Sequence, residues 1–127
     1  MIVYHFCCKR DAKRIMKQGL TLGHIPKWDE VNRRWVLRSG FQWVTLNDDP
    51  DAQSWDTHYL LRYSRTEMRL TIDIPKEYED HLLNMREMTD VVDGIAPELY
   101  EGWSGSNDWR VYRGSIPKAW IIKAETM

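Results

Sequence analysis

Apolar and polar positions change their period several times along the chain, and each change predicts an element. Ile2–Phe6 is β-branched and aromatic and predicts a strand. Its alternation puts Val3, His5 and Cys7 on one face and Ile2, Tyr4 and Phe6 on the other. Lys9–Gln18 carries Ala12, Ile15 and Met16 at helical spacing, with Leu20 beyond. Gly19 stops it, so a short amphipathic helix with a basic outer face is expected. Phe41–Leu46 alternates and predicts a strand. Met68–Ile74 sets Met68, Leu70, Ile72 and Ile74 against Arg69, Thr71 and Asp73, and Pro75 ends it. Tyr78–Met88, with Leu82, Leu83, Met85 and Met88, predicts a helix. Trp109–Arg113 predicts a strand broken by Gly114, and Trp120–Lys123 a last short one.

The intervals carry turn chemistry. Thr21–Asn32 is expected to be irregular, with Gly23 and Pro26 in it. Arg33–Leu37 fits a short strand or a loop segment. Asn47–Ser54 is a turn with room for a short helix at Pro50. Gly94–Ser106, rich in Gly, Pro and acids, is expected to be a mobile loop. No repeat or linker interrupts the pattern. The element order predicts one α+β domain over residues 1–127, built on a small, mainly antiparallel sheet with two short helices.

Composition narrows the class. Seven Trp, six Tyr and two Phe in 127 residues are too much aromatic surface for an unfolded chain. Mean hydropathy is -0.60, and no apolar run approaches the roughly 20 residues of a membrane helix. The start of the chain lacks the pattern of a secretory leader, so a cytoplasmic protein away from the membrane is expected. Cys7 and Cys8 are adjacent, which suits neither a disulfide nor a zinc site, so both are expected to be reduced and buried.

The net charge of -1 hides an asymmetry. Residues 1–38 hold nine Lys/Arg and three acids, and residues 73–108 hold ten acids and two bases. The basic third suits phosphates or an acidic partner, but the reading favoured is a solvated face offset by the acidic one.

No phosphate loop, dinucleotide fingerprint, nucleophile elbow or metal-binding spacing is present, so no metal is expected. Three features carry chemistry. His5 is an imidazole inside a strand, where it must find a partner or face a cleft. Arg62, Arg65 and Arg69 offer guanidinium forks for phosphates, or a surface ladder. Trp43, Trp55, Tyr59, Trp103 and Trp109 are core rings or flat platforms for a planar ligand.

Taken in order, these blocks resemble the ADP-ribosyltransferase fold. Tyr4-His5-Phe6, then the helix with Ala12 and Ile15 and the exit Gly19-Leu20, resembles the opening of its histidine-type branch. Toxins that ADP-ribosylate nucleic acid and NAD-dependent RNA 2′-phosphotransferases open in a similar way. Gly40-Phe41-Gln42-Trp43-Val44-Thr45 is similar to the second core strand. Trp109-Arg110-Val111-Tyr112-Arg113-Gly114-Ser115-Ile116-Pro117, then Trp120-Ile121, resembles the closing pair of strands. Small bacterial and phage proteins share this pattern.

The resemblance implies a split sheet, NAD as cofactor and a protein or nucleic-acid acceptor. It implies that His5 holds a ribose, Trp43 stacks on nicotinamide and Thr45 supports the pocket wall. Arg69 with Arg65 would take the pyrophosphate or an acceptor phosphate, with Arg110 as a further arginine. The glutamate usual in the family's late strand is missing here, and Asp108 is the nearest candidate for the carboxylate that steadies an oxocarbenium centre. The catalytic set expected is therefore His5, Arg69 and Asp108. The alternative is a catalytically inactive module that binds a nucleotide or a host protein. A nucleic-acid binder is a third class, disfavoured by the near-neutral charge.

Overall fold

The structure is a computed structural model that describes residues 1–53 and 65–127. Among these residues lie eight strands: β1 (Ile2–Cys7), β2 (His24–Asp29), β3 (Arg34–Ser39), β4 (Phe41–Thr45), β5 (Met68–Asp73), β6 (Leu82–Leu83), β7 (Trp109–Arg113) and β8 (Ile121–Thr126). The α-helices among the described residues are α1 (Lys9–Gln18) and α2 (Met85–Met88). Six strands form a sheet in the order β6-β7-β4-β1-β5-β8, and β2 and β3 form a separate ribbon. Every ladder is antiparallel. The fold is α+β with a mostly antiparallel sheet and few helices.

Each sheet face has its own core. On one side, Val3, Cys7, Val44, Leu70 and Ile72 pack with Ala12 and Ile15 of α1 and with Ile116. Burying a side chain such as Ile15 contributes roughly 1.5–3 kcal/mol, so this face anchors α1. On the other side, Phe41 and Val111 pack with Ile25 of the ribbon and with Met88 and Val92. The helix exit is fixed by a reciprocal backbone pair: Leu20 N–H donates to Ile116 O at 2.9 Å, and Ile116 N–H donates to Leu20 O at 3.0 Å.

α1 spans the residues that the periodicity predicts, and β1, β4, β5 and β7 lie where alternation places them. Four expectations are corrected. Thr21–Asn32 contains strand β2, because an isolated ribbon leaves its outer edges unpaired and tolerates Pro26. Tyr78–Met88 is not one helix. Lys76–His81 is a 3-10 turn, Leu82–Leu83 pairs with Tyr112 and Val111 as β6, and Asn84 starts α2 through a capping box with Glu87. The segment 94–106 holds a 3-10 turn at Pro97–Leu99 and is packed through its aromatic side chains. The last strand is longer and later than expected, because Lys118–Trp120 is a 3-10 turn ahead of β8. Asn47–Ser54 does carry the short turn at Pro50–Ala52, with Asp49 as its cap.

Cys7 and Cys8 are both free and buried. Burial, then the Asp11 carboxylate, pushes the Cys7 thiol up to about 12, so it packs as an inert apolar group. No helix among the described residues is long and apolar enough to cross a membrane.

Candidate functional site

The sheet is loosely joined at its centre. β1 pairs with β5 along its whole length, from Ile2↔Asp73 to Cys7↔Met68. β4 pairs with β7 along its whole length. Between β1 and β4 a single opposed pair, Tyr4↔Thr45, closes the seam. A cleft of about 320 Å³ opens here, lined by Tyr4, His5 and Phe6 on one side and Trp43 and Val44 on the other.

The ribbon and the late loop complete its walls. His24, Pro26 and Leu37 come from β2 and β3, and Tyr100, Trp103 and Trp109 from the acidic loop and β7. Arg65 also lines the cleft. Two backbone approaches hold the ribbon in place. Gly23 N–H donates to Gln42 Oε1 at 2.7 Å, while Gln42 Nε2 donates to Gly114 O at 3.1 Å. Trp28 N–H donates to Gly94 O at 2.8 Å. A Cβ at Gly94 would stand 2.3 Å from Trp28 O, and its φ of +83° strains any other residue.

His5 sits at the seam. Its Nδ1 lies 2.7 Å from Trp43 O. A carbonyl oxygen only accepts, so Nδ1 carries the proton and Nε2 keeps its lone pair. Nε2 has no partner among the described residues. Burial lowers the His5 pKa below its ordinary value; the bond to Trp43 O and the Asp11 charge oppose this, and the Arg14 charge adds to it. The imidazole is therefore neutral at physiological pH, and Nε2 is the acceptor nitrogen of a side chain that lines the cleft.

The aromatic wall is a connected set. Trp43 lies 5.3 Å from Tyr100 and 6.2 Å from Trp109, the latter at 88°. Trp103 lies 5.9 Å from both Tyr100 and Trp109. These separations are ring-on-ring packing, so the rings make a wall and not an open cage. Trp43 Nε1–H donates to His24 O at 3.0 Å, which fixes its plane and ties the ribbon to β4. Trp103 is 49% exposed at the mouth. Burial raises the Tyr100 pKa, which keeps its hydroxyl protonated.

Of the expected site residues, the cleft brings together His5, Trp43 and Arg65. It does not bring in the other four. Thr45 is buried, and its Oγ1 accepts from Asn47 N–H at 3.1 Å, capping the turn after β4. Arg69 donates to Glu125 Oε1 and to Asp48 O, both at 2.8 Å. Its guanidinium lies 5.6 Å from the Tyr4 ring centroid, so it backs the cleft wall from behind. The Arg69 hydrogen bond holds Glu125 below its usual carboxylate range, and Arg69 itself is raised.

Asp108 ends the 3-10 turn Ser106–Asp108, and its backbone carbonyl accepts from Leu46 N–H at 2.9 Å. Arg110 Nη1 donates to Asn107 O and Trp109 O. Arg110 lines a second, polar pocket of about 220 Å³ behind Tyr100 and Trp109, where Arg86 pairs with Glu101. Trp55, Tyr59 and Arg62 lie outside the described residues.

Sequence reasoning missed the ribbon residues His24, Pro26 and Leu37, and Tyr100. The alternation of Trp28 with Pro26 and of Trp35 with Leu37 was the available signal for the ribbon, masked by the proline. Among the described residues no cluster of His, Cys, Asp and Glu is placed to hold a metal ion. No protein-family model, curated protein or solved structure matches the chain.

Proposed function

We propose that the cleft between β1 and β4 binds NAD or a related nucleotide, in an ADP-ribosyltransferase-like split sheet. The observation that carries this reading is the fixed tautomer of His5. A bare Nε2 in an aromatic cleft accepts a hydrogen bond from a ribose hydroxyl and needs no change of charge to do so. Trp43 and Trp103 offer faces for a planar base or a nicotinamide ring. Arg65, which lines the cleft, takes the pyrophosphate in place of Arg69. Val44 and Phe6 make the floor apolar, which strengthens the polar contacts within it.

A second reading, binding without turnover, rests on a separate observation. The described lining residues include no carboxylate. Cleaving the glycosidic bond of NAD develops positive charge on the ribose, which a nearby carboxylate would steady. Transfer to a protein or nucleic-acid acceptor requires that charge to be met by another group.

Thermal shift with NAD, together with an assay for released nicotinamide, tests both readings. A shift with release supports transfer, and a shift without release supports the binding module. The absence of both a shift and release rejects the nucleotide reading.

A further inference from the structure

The outer face of α1 is a groove made almost entirely of cations. Arg10, Lys13, Arg14, Lys17 and Gln18 line a concavity of about 290 Å³. Arg14 has one weak partner, Asp11 at 3.4 Å. Lys9, Arg10, Lys13 and Lys17 form no side-chain ion pair with any described residue. The spacing makes matters worse for the helix: Lys9 and Lys13, Arg10 and Arg14, and Lys13 and Lys17 are like charges four residues apart, and each pair weakens an isolated helix. Among the described residues the acids nearest the helix are Asp11, beside Arg14, and Glu67, which accepts from the Lys9 backbone N–H, and the ten acids between residues 73 and 108 form no ion pair with it.

We infer that this face of α1 docks the phosphate backbone of a nucleic-acid strand. The inference goes beyond the cleft and does not depend on what the cleft binds. Arg10 to Lys17 covers about 10 Å of helix axis, at about 1.5 Å per residue. That length meets about three phosphates of a strand rising about 3.4 Å per nucleotide. A membrane surface is a poorer fit. The apolar side of α1 is spent on the core through Ala12 and Ile15, and only Met16 offers exposed apolar surface for insertion. Regular cations on a groove one helix wide suit a repeating polyanion better than the irregular charges of an acidic protein. The track also begins beside the cleft: Lys9 follows β1 by two residues, and the charges of Asp11 and Arg14 both reach the His5 ring.

The test is fluorescence anisotropy of a labelled single-stranded oligonucleotide of about 20 nucleotides, long enough to cover the track, titrated over a range of KCl. The comparison is between the parent, the triple variant R10A/K13A/K17A and the control K123A, whose lysine lies on β8 beside Glu125. The three α1 positions are exposed, so circular dichroism melts should show all proteins folded. The parent should bind with strong salt dependence. The triple variant should lose about tenfold or more in affinity, and its salt slope should flatten by about 2, the share of three phosphate contacts on a single strand. K123A should match the parent. Salt-independent binding, equal binding by parent and triple variant, or an equal loss in K123A would overturn the inference. So would binding to anionic lipid vesicles or polyglutamate as tight as to the oligonucleotide.

Discussion

His5 Nδ1 lies 2.7 Å from the backbone oxygen of Trp43, across the seam where β1 and β4 share only one opposed pair. A side chain thus does at this point what a backbone ladder does elsewhere in the sheet. The bond fixes the imidazole tautomer and also bridges the two strands that the cleft separates.

The burial of His5 makes stability depend on pH, against the opposing effect of its bond to Trp43 O. Burial lowers the folded-state pKa of His5, so between that value and about 6.5 the unfolded chain binds more protons than the folded one. Stability therefore rises with pH through this window and is lost as pH falls through it. Melting curves of the parent should drop in temperature on acidification below about pH 6.5. In His5→Gln that part of the drop should disappear. An unchanged acid limb in His5→Gln would mean that other groups carry it.

Trp43 serves the wall and the ribbon through different atoms. Trp43→Phe keeps a ring but loses the Nε1–H bond to His24 O. It should cost about 0.5–1.5 kcal/mol of stability, the usual net worth of one hydrogen bond. Trp43→Ala removes the ring as well and should cost about 3–5 kcal/mol. Denaturant melts measure both. If nucleotide affinity falls in Trp43→Phe by as much as in Trp43→Ala, the plane of the ring matters more than its area.

Arg69 is predicted to be structural. Arg69→Ala should lower the melting temperature and leave nucleotide affinity within about twofold of the parent, as for a site with no shared ligand. Glu125 is depressed by that arginine, so this share of stability is present above the unfolded pKa of about 4.3 and fades as pH falls through the folded value. Titration calorimetry on the variant is the check. A large loss of affinity would return Arg69 to the site as a phosphate ligand or as the support that holds Tyr4.

Gly94→Ala should be among the most damaging single-methyl changes. The new Cβ would press on Trp28 O in a backbone conformation that costs a side chain about 1–3 kcal/mol on its own. The expected result is a clear loss of stability, together with faster hydrogen exchange at the Trp28 amide, whose bond to Gly94 O would be broken. Unchanged exchange there would show that the Gly23–Gln42 and Trp43–His24 bonds hold the ribbon without it.

How much of this was legible in the sequence depended on how local the cause is. α1 and β7 are set by periodicity and a following glycine, so their boundaries were readable. β2 was hidden by Pro26, whose tolerance depends on having an unpaired edge, a fact of the sheet and not of the segment. Leu82 and Leu83 have helical spacing with Met85, yet pairing with Tyr112 and Val111 outweighs it. The same division holds in the site. His5 and Trp43 declared themselves by residue type. Thr45 is diverted to the turn only two residues on, a local cap that residue type alone did not announce, whereas the diversion of Arg69 to Glu125 arises from a contact far apart in the chain: residues 69 and 125 meet only because β5 pairs with β8.

The proposed nucleotide site depends on His5 presenting a bare Nε2 in the cleft. Histidine-selective nitrogen NMR, with NAD added stepwise to the protein at neutral pH, measures this at the atom concerned. The predicted result is a neutral His5 protonated on Nδ1, whose Nε2 resonance moves on addition of NAD while the Nδ1–H bond to Trp43 O persists. A His5 protonated on Nε2, or nitrogen resonances that stay fixed at saturating NAD, would contradict it.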